Sequence, residues 1–205
     1  MIFDRMQYVK RHWHNRNRIK TAHGVEWLTI PVVTKGRFNQ AIDEVHIEKP
    51  WAEKHWRALE LAYRSAPFFG EFAPLVRTWY ELADKEPLLT DVNEIFLRGI
   101  ARVLGLATRI TRDATYPSCG TKTERLLGIA RSAGADCYLS GPSARAYFDE
   151  EMFASAGIAS EWMNYEGYPE YPQLHGPFEH AVTMLDLLFN TGAESPRFFS
   201  RTQVG

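Results

Sequence analysis

The sequence has no acidic residue between Arg5 and Val25, although Arg5, Lys10, Arg11, Arg16, Arg18 and Lys20 all fall in that window. Cysteine is scarce too. Cys119 and Cys137 are the two in 205 residues, and they fit neither a disulfide framework nor a metal-ligand spacing. A reducing cytoplasm is therefore the expected setting. No apolar run approaches the roughly 18 residues of a membrane span, and the basic N-terminus lacks the apolar core of a signal peptide. A P-loop, a G-x-G-x-x-G turn and an H-E-x-x-H pair are all missing, and no G-x-S-x-G elbow marks a hydrolase triad. His12, His14, His23, His46, His55 and His180 form no ligating pattern, so no metal is expected. No cofactor is assigned.

What is present is an ordinary globular composition, 45% hydrophobic and 24% charged, with enough chain for one packed domain. The 24 basic residues nearly balance the 25 acidic ones, so outside the Arg5–Val25 window eighteen bases face all 25 acids. One basic island sits on an otherwise acidic protein.

The periodicities suggest how that island is held. Arg16, Arg18 and Lys20 alternate with their neighbours, Ala22–Gly24 turns, and Val25, Trp27 and Thr29 begin a returning arm, which reads as a β-hairpin. A short strand is expected over Ala41–Glu48. Pro50 then opens a helix at its first position, with Trp51, Trp56, Leu59 and Tyr63 at near-helical spacing. Gly70 and Pro74 punctuate before a further helical run, and Thr90 or Asp91 caps a helix ending at Gly105. The second half alternates. Strands are expected over 108–116, 135–141 and 158–166, separated by a helix with Thr121 and Glu124 at capping-box spacing and a helix over 142–157. A last helix stops at Gly192. Strand–helix alternation predicts an α/β fold, a mostly parallel sheet flanked by helices with an N-terminal basic β-hairpin. Residues 1–205 are read as one domain: hairpin and strand to 48, helices over 49–106, the alternating part over 107–192, and a loosely held tail over 193–205.

Chemistry is sought first in the island. Five cations within Lys10–Lys20 repel one another with no acid in sequence to neutralise them. Arginine forks pair with phosphate or carboxylate oxygens, and Asn15 and Asn17 add neutral donors. Strand alternation puts Arg16, Arg18 and Lys20 on one face and Asn15, Asn17 and Ile19 on the other. Removing Arg16 or Arg18 should then abolish anion binding and leave stability unchanged or slightly raised. The bland alternative is a solvated hairpin face. A second candidate is the turn Ser140-Gly141-Pro142-Ser143, where a buried strand is expected to run into a helix whose N–H groups would meet an anion. An ordinary capped turn explains it equally. A shared ligand would need this turn and the island to face one cleft. The third is the loop "GYPEYPQLHG", where Gln173 and His175 stand among tyrosines and prolines. It is either a functional loop or a stiff cover. The Trp51/Trp56/Trp79 stripe reads as core.

Several of these stretches together resemble the WbqC-like protein family. They are "FDRMQYVKRHWHNRNRIKT", "WLTIPV", "DCYLSGPSARAYFDEEMF" and "YPQLHGPFEHAVTMLDLLFNTG". The matching positions are Asp4, Gln7, Tyr8, Lys10, Arg11, Asn15, Arg16, Asn17, Arg18, Ile19 and Lys20, then Ser140, Gly141 and Tyr147, and finally Tyr171, Gln173, His175, Gly176, Asp186 and Asn190. One departure stands. Members usually open with an extra strand and a His-Gln-Pro-x-Tyr-x-Pro segment, and this sequence begins after it. The resemblance implies a setting in bacterial surface polysaccharide (O-antigen) biosynthesis, and amino or aminoacyl transfer to an activated sugar.

The residues and the resemblance together lead to a transferase acting on a small anionic substrate, phosphorylated or carboxylated, such as an activated sugar or amino acid. Lys10, Arg11, Arg16, Arg18 and Lys20 would hold the anion. Asn15, Asn17, Ser140, Gly141, Tyr147 and Gln173 would complete the binding site, and Asp4 and His175 would handle protons. Two other classes stay open. One is a nucleic-acid-associated protein, including one that attaches amino acids to modified phage DNA bases. The other is a non-catalytic scaffold.

Overall fold

Arg16–Thr21 (β1) and Gly24–Thr29 (β2) pair antiparallel in the register Arg16↔Thr29 to Thr21↔Gly24, leaving Ala22 and His23 as a two-residue turn. Gly24 closes it at φ +115°, a conformation a Cβ would disfavour. The protein is described by a computed structural model that covers residues 1–120 and 122–199. It divides into two compact units. One comprises Met1–Phe3 and Ile110–Gly167, and the other comprises Asp4–Arg109 and the chain from Tyr168 onward.

The second unit holds the hairpin and most of the helix. Ala52–Tyr63 (α1), Phe69–Ala83 (α2) and Leu89–Val103 (α3) follow the apolar spacings in the sequence, and later Met184–Thr191 (α6) and Pro196–Phe199 (α7) join this unit. Trp51, Leu59, Tyr63, Val76, Trp79 and Phe189 are buried in one core with Ile19 of β1. Trp56 packs against it, so the tryptophan stripe is core. α6 is stopped by Gly192 at φ +57°, where a Cβ would stand 2.5 Å from the Phe68 ring.

Several helix boundaries differ from the sequence reading. α1 begins at Ala52 with Trp51 as its cap, not at Pro50. Gly70 and Pro74 lie inside α2, because a proline near the start of a helix removes a bond from only its first turns. α3 begins at Leu89, ahead of Thr90 and Asp91, with no side-chain cap. Thr90 instead donates to the Asp4 carboxylate, 2.6 Å away.

In the first unit Lys122–Ser132 (α4), Cys137–Ser140 (β3), Glu150–Ser155 (α5) and Ala159–Trp162 (β4) surround a small core of Leu127, Ala130, Phe153 and Ile158. Thr121, half of the expected capping box, lies outside the described residues. β3 and β4 pair parallel, Cys137↔Ala159 to Ser140↔Trp162.

The described residues are thus mixed α and β with two two-stranded sheets, and a large parallel sheet is not among them. Two expected strands are not formed. Over 41–48 there is a single 3-10 turn, Ile42–Glu44, flanked by isolated bridges Val32↔Ile47 and His46↔Leu88. Val45 and Ile47 are buried, so the alternation there reports a covered face and not a ladder. Over 108–116 there is one bridge, Ile2↔Arg112, and the 3-10 turn Asp113–Thr115, whose buried Asp113 pairs with Arg125 at 2.5 Å. β3 is not buried either, since its side chains alternate between exposed and half-buried.

The long helix expected over 142–157 is broken. Pro142–Ala146 is a 3-10 turn, Phe148 turns inward to stack on Tyr138 at 5.5 Å, and α5 restarts under the Asp149 side chain, which accepts from Met152 N–H. The tail read over 193–205 contains a 3-10 turn, Gly192–Glu194, and α7, around a fully buried Ser195; residues 200–205 lie outside the described residues.

Candidate functional site

The hairpin places its cations in three different environments. Lys20 is 3% exposed, as buried as its neighbour Ile19 at 1%. Strand alternation would turn one of them to water. Instead β1 is covered on both sides, by the core at Ile19 and by the loop after Tyr171 at Lys20. Lys20 Nζ donates to Gln173 Oε1 at 2.5 Å and to the Pro177 carbonyl. Arg18 Nε donates to the Ala181 carbonyl at 2.5 Å, and its guanidinium faces Glu179 at 3.4 Å. Thr183 N–H reaches the Arg18 carbonyl. The island and the third candidate, the Tyr171–His175 loop, are therefore one structure.

A buried polar network continues from there. Gln173 Nε2 donates to Asp186 Oδ1 at 3.0 Å, and the Tyr171 hydroxyl donates to the same oxygen at 2.7 Å. Asn190 Nδ2 donates to the Asp186 carbonyl, and its own Oδ1 accepts from Leu174 N–H. The Tyr63 hydroxyl accepts from Lys20 N–H at 2.9 Å. Burial, with the Asp186 carboxylate as the next cause, pushes both phenols well above their usual range. This cluster is satisfied by its own members.

Arg16 behaves differently. It lines a cavity of about 160 Å³ with Trp13, His14, Asn15 and Asn17, over a floor that includes Leu59, Tyr80, Phe96 and Ile100. Here polar atoms are left over. Arg16 Nε, Trp51 Nε1, Asn15 Oδ1 and His14 Nδ1 are each buried with no hydrogen-bond partner among the described residues, and all four residues line this cavity. The Asn15 amide is oriented by its other end, which donates to the Ile30 carbonyl at 2.9 Å while Ile30 N–H returns a bond to the Asn15 carbonyl. Asn93 holds the His14 carbonyl at 2.9 Å. Burial, then the His12 ring at 4.4 Å, lowers the His14 pKa. Burial also lowers that of His55, whose Nε2 donates to the Thr29 carbonyl. Both rings are thus neutral near pH 7.

The remaining residues singled out in the sequence are placed as follows. Lys10 and Arg11 are exposed on the turn before Trp13. Asp4 is 2% exposed, and Asp4 Oδ2 accepts from Thr90. His175 Nε2 donates to the Ala62 carbonyl at 3.1 Å. Ser140, Gly141 and Tyr147 belong to the other unit, where Ser140 ends β3 and Gly141 and Tyr147 flank the 3-10 turn Pro142–Ala146. Trp51, His55 and Asn93 escaped sequence reasoning as cavity residues, and the sequence leaves His14 unassigned. The asparagines beside His14 were the one local signal, and nothing in the spacing of Trp51 separates it from the core.

Comparison with known proteins agrees with the residue pattern. The model of the WbqC-like protein family matches residues 1–198. The uncharacterized protein Rv1507c of Mycobacterium tuberculosis is 47% identical over 199 residues, covering 97% of this chain and 86% of that protein. No solved structure matches.

Proposed function

The chain belongs to the WbqC-like protein family, and on that premise we propose that it is a transferase binding a small anionic substrate in the cavity beneath its basic hairpin. The observation that carries this reading is the set of four buried polar atoms that have no hydrogen-bond partner among the described residues and belong to residues lining one cavity. A buried polar group left unpaired costs about 1–3 kcal/mol, and four in one place mark a region preorganised for a polar guest. Arg16 Nε and Trp51 Nε1 donate, Asn15 Oδ1 accepts, and neutral His14 Nδ1 donates or accepts according to its tautomer. A guest with an anionic oxygen for the donors and a hydroxyl or amine for the acceptors satisfies them together.

Size narrows the class. Pockets for drug-sized ligands span about 300–1,000 Å³, so a cavity of about 160 Å³ suits a single small group such as an amino acid or part of one sugar ring. Amino or aminoacyl transfer to an activated sugar, in surface polysaccharide assembly, is the reaction that joins this size to the family setting. The nucleic-acid reading is weaker, because Arg18 and Lys20 are already engaged with the Gln173–Ala181 segment.

Calorimetric titration with amino acids, sugar phosphates and oligonucleotides across salt tests the proposal. Small ligands should bind with a gentle salt dependence, and Trp51→Phe should weaken them about tenfold, the value of one lost hydrogen bond to a charged group. Trp79→Phe, a comparable loss from the same core, should not. Tight oligonucleotide binding that collapses with salt, with no response to small ligands, would sink the transferase reading.

A further inference from the structure

The mouth of the cavity carries an exposed aromatic pair. Trp13 and Trp27 are 52% and 44% exposed, with ring centroids 5.1 Å apart at 53°. The Arg16 guanidinium lies 4.0 Å from the Trp27 ring, and that of Arg18 lies 5.9 Å from each indole. Single exposed apolar side chains are ordinary, but two adjacent indoles beside a cavity form a patch. Trp13 and Arg16 also line the cavity, so patch and cavity are continuous.

Free charge stands next to it. Lys10 and Arg11 are exposed on the turn that leads into Trp13 and form no ion pair among the described residues. Arg11 holds φ +59°, a backbone region that side chains other than glycine seldom adopt, and its carbonyl accepts from the Arg16 guanidinium. The turn is thereby tied to the same arginine that reaches the cavity.

Flat π faces, planar cations, two free cations and an adjoining small cavity call for a ligand with a flat ring, a phosphate chain and a small appended group. We infer that Trp13, Trp27, Lys10 and Arg11 form a nucleotide subsite, with the base stacked on the Trp13 indole, the diphosphate met by Lys10 and Arg11, and the appended group directed to the cavity. This rests on the cavity being the substrate site and names the carrier on which the substrate arrives. A single-stranded nucleic acid also stacks on indoles, but it needs cations along successive phosphates. Here the free ones are confined to one turn, since Arg18 and Lys20 are held by the Gln173–Ala181 segment.

The full chain should be titrated with UDP, ADP, pyrophosphate, uridine and a short oligothymidylate, followed by tryptophan fluorescence and heat. UDP and ADP should bind one to one and quench fluorescence, and pyrophosphate and uridine should each bind at least about tenfold more weakly, because each offers half of the contacts. Trp13→Ala should cost about tenfold for the diphosphates and for uridine. Lys10→Ala with Arg11→Ala should cost a similar factor for the diphosphates alone, about that of a charge-assisted bond. Pyrophosphate binding as tightly as UDP, with Trp13→Ala silent, overturns the subsite. So does steeply salt-dependent oligothymidylate binding with no response to UDP. If UDP fails while amino acids or sugar phosphates still bind and Trp51→Phe still weakens them, the subsite is wrong and the cavity reading stands. If UDP binds as expected and Trp51→Phe changes no ligand, the cavity reading falls and the subsite remains.

Discussion

The two ends of the basic island have nearly the same sequence character and opposite fates. At one end Lys10 and Arg11 stand in water beside two exposed indoles. At the other, Lys20 is buried against Gln173 and Pro177, and Arg18 is tied to Ala181 and Glu179. Arg16 lies between them, with one guanidinium nitrogen bound to Arg11 and a buried Nε that has no partner among the described residues. Charge density in a sequence therefore pools two kinds of cation. One kind holds the fold's loop to its strand, and the other is available to a ligand.

The comparison can be broken most directly at its extremes. Lys20→Met removes one of the two donors to Gln173 Oε1 and the ammonium donor to the Pro177 carbonyl, and should cost about 3 kcal/mol of unfolding free energy. Lys10→Met, on the exposed turn, should change it by no more than about 0.5 kcal/mol. Equal denaturation midpoints for the two variants would erase the distinction. Arg18→Ala comes next, with a loss of about 1 kcal/mol, since its guanidinium is partly exposed and its salt bridge is long. From charge repulsion alone that variant was expected to leave stability unchanged or raised, so its sign discriminates between the two accounts.

The smallest effects are the pH limbs, which separate the two ends by titration. His55 and His14 flank the cavity, and burial lowers both pKa values. The unfolded chain takes up protons near pH 6.5 while these folded rings resist. Stability should therefore fall as pH drops below about 6.5, by at most about 1.4 kcal/mol per unit of depression at the buried His55. Tyr63 and Tyr171 belong to the Lys20 network, and burial raises theirs. Their unfolded phenols ionise near pH 10 while the folded ones resist, so stability should fall above about pH 10. Tyr63→Phe should lessen the alkaline limb in a pH series of thermal melts, leaving the share of Tyr171 and of buried Tyr80, and keep the acid limb intact. A flattened acid limb instead would assign the titration to the wrong end.

Much of this was legible in the residues, for identifiable reasons. The hairpin followed from alternation bounded by a turn, and the helices from apolar spacing, because both signals are local. The strands read over 41–48 and 108–116 were not formed, because alternation registers which face is covered and carries no information about a hydrogen-bonding partner. At the site, the island and the Tyr171–His175 loop were found separately. Their union at Lys20 and Gln173 spans 153 residues and leaves no trace in spacing. Trp51 was filed as core, correctly by burial, and its unpaired indole N–H was invisible until the neighbouring walls were in place.

Gln173 carries a consequence for how such a sequence can drift. Its oxygen accepts from Lys20 and from Glu179 N–H, while its nitrogen donates to Asp186, Tyr171 and the Glu179 carbonyl. A carboxylate there would face Asp186 with like charge, and an ammonium would face Lys20. An amide of this length answers both sides at once. Lys20, Gln173, Asp186 and Tyr171 therefore form one interdependent unit, in which a lone replacement should cost more than a matched joint one. Invariance of these four among relatives would then record the upkeep of a buried joint, and the search for the reaction is better directed to the residues around Asn15 and Arg16.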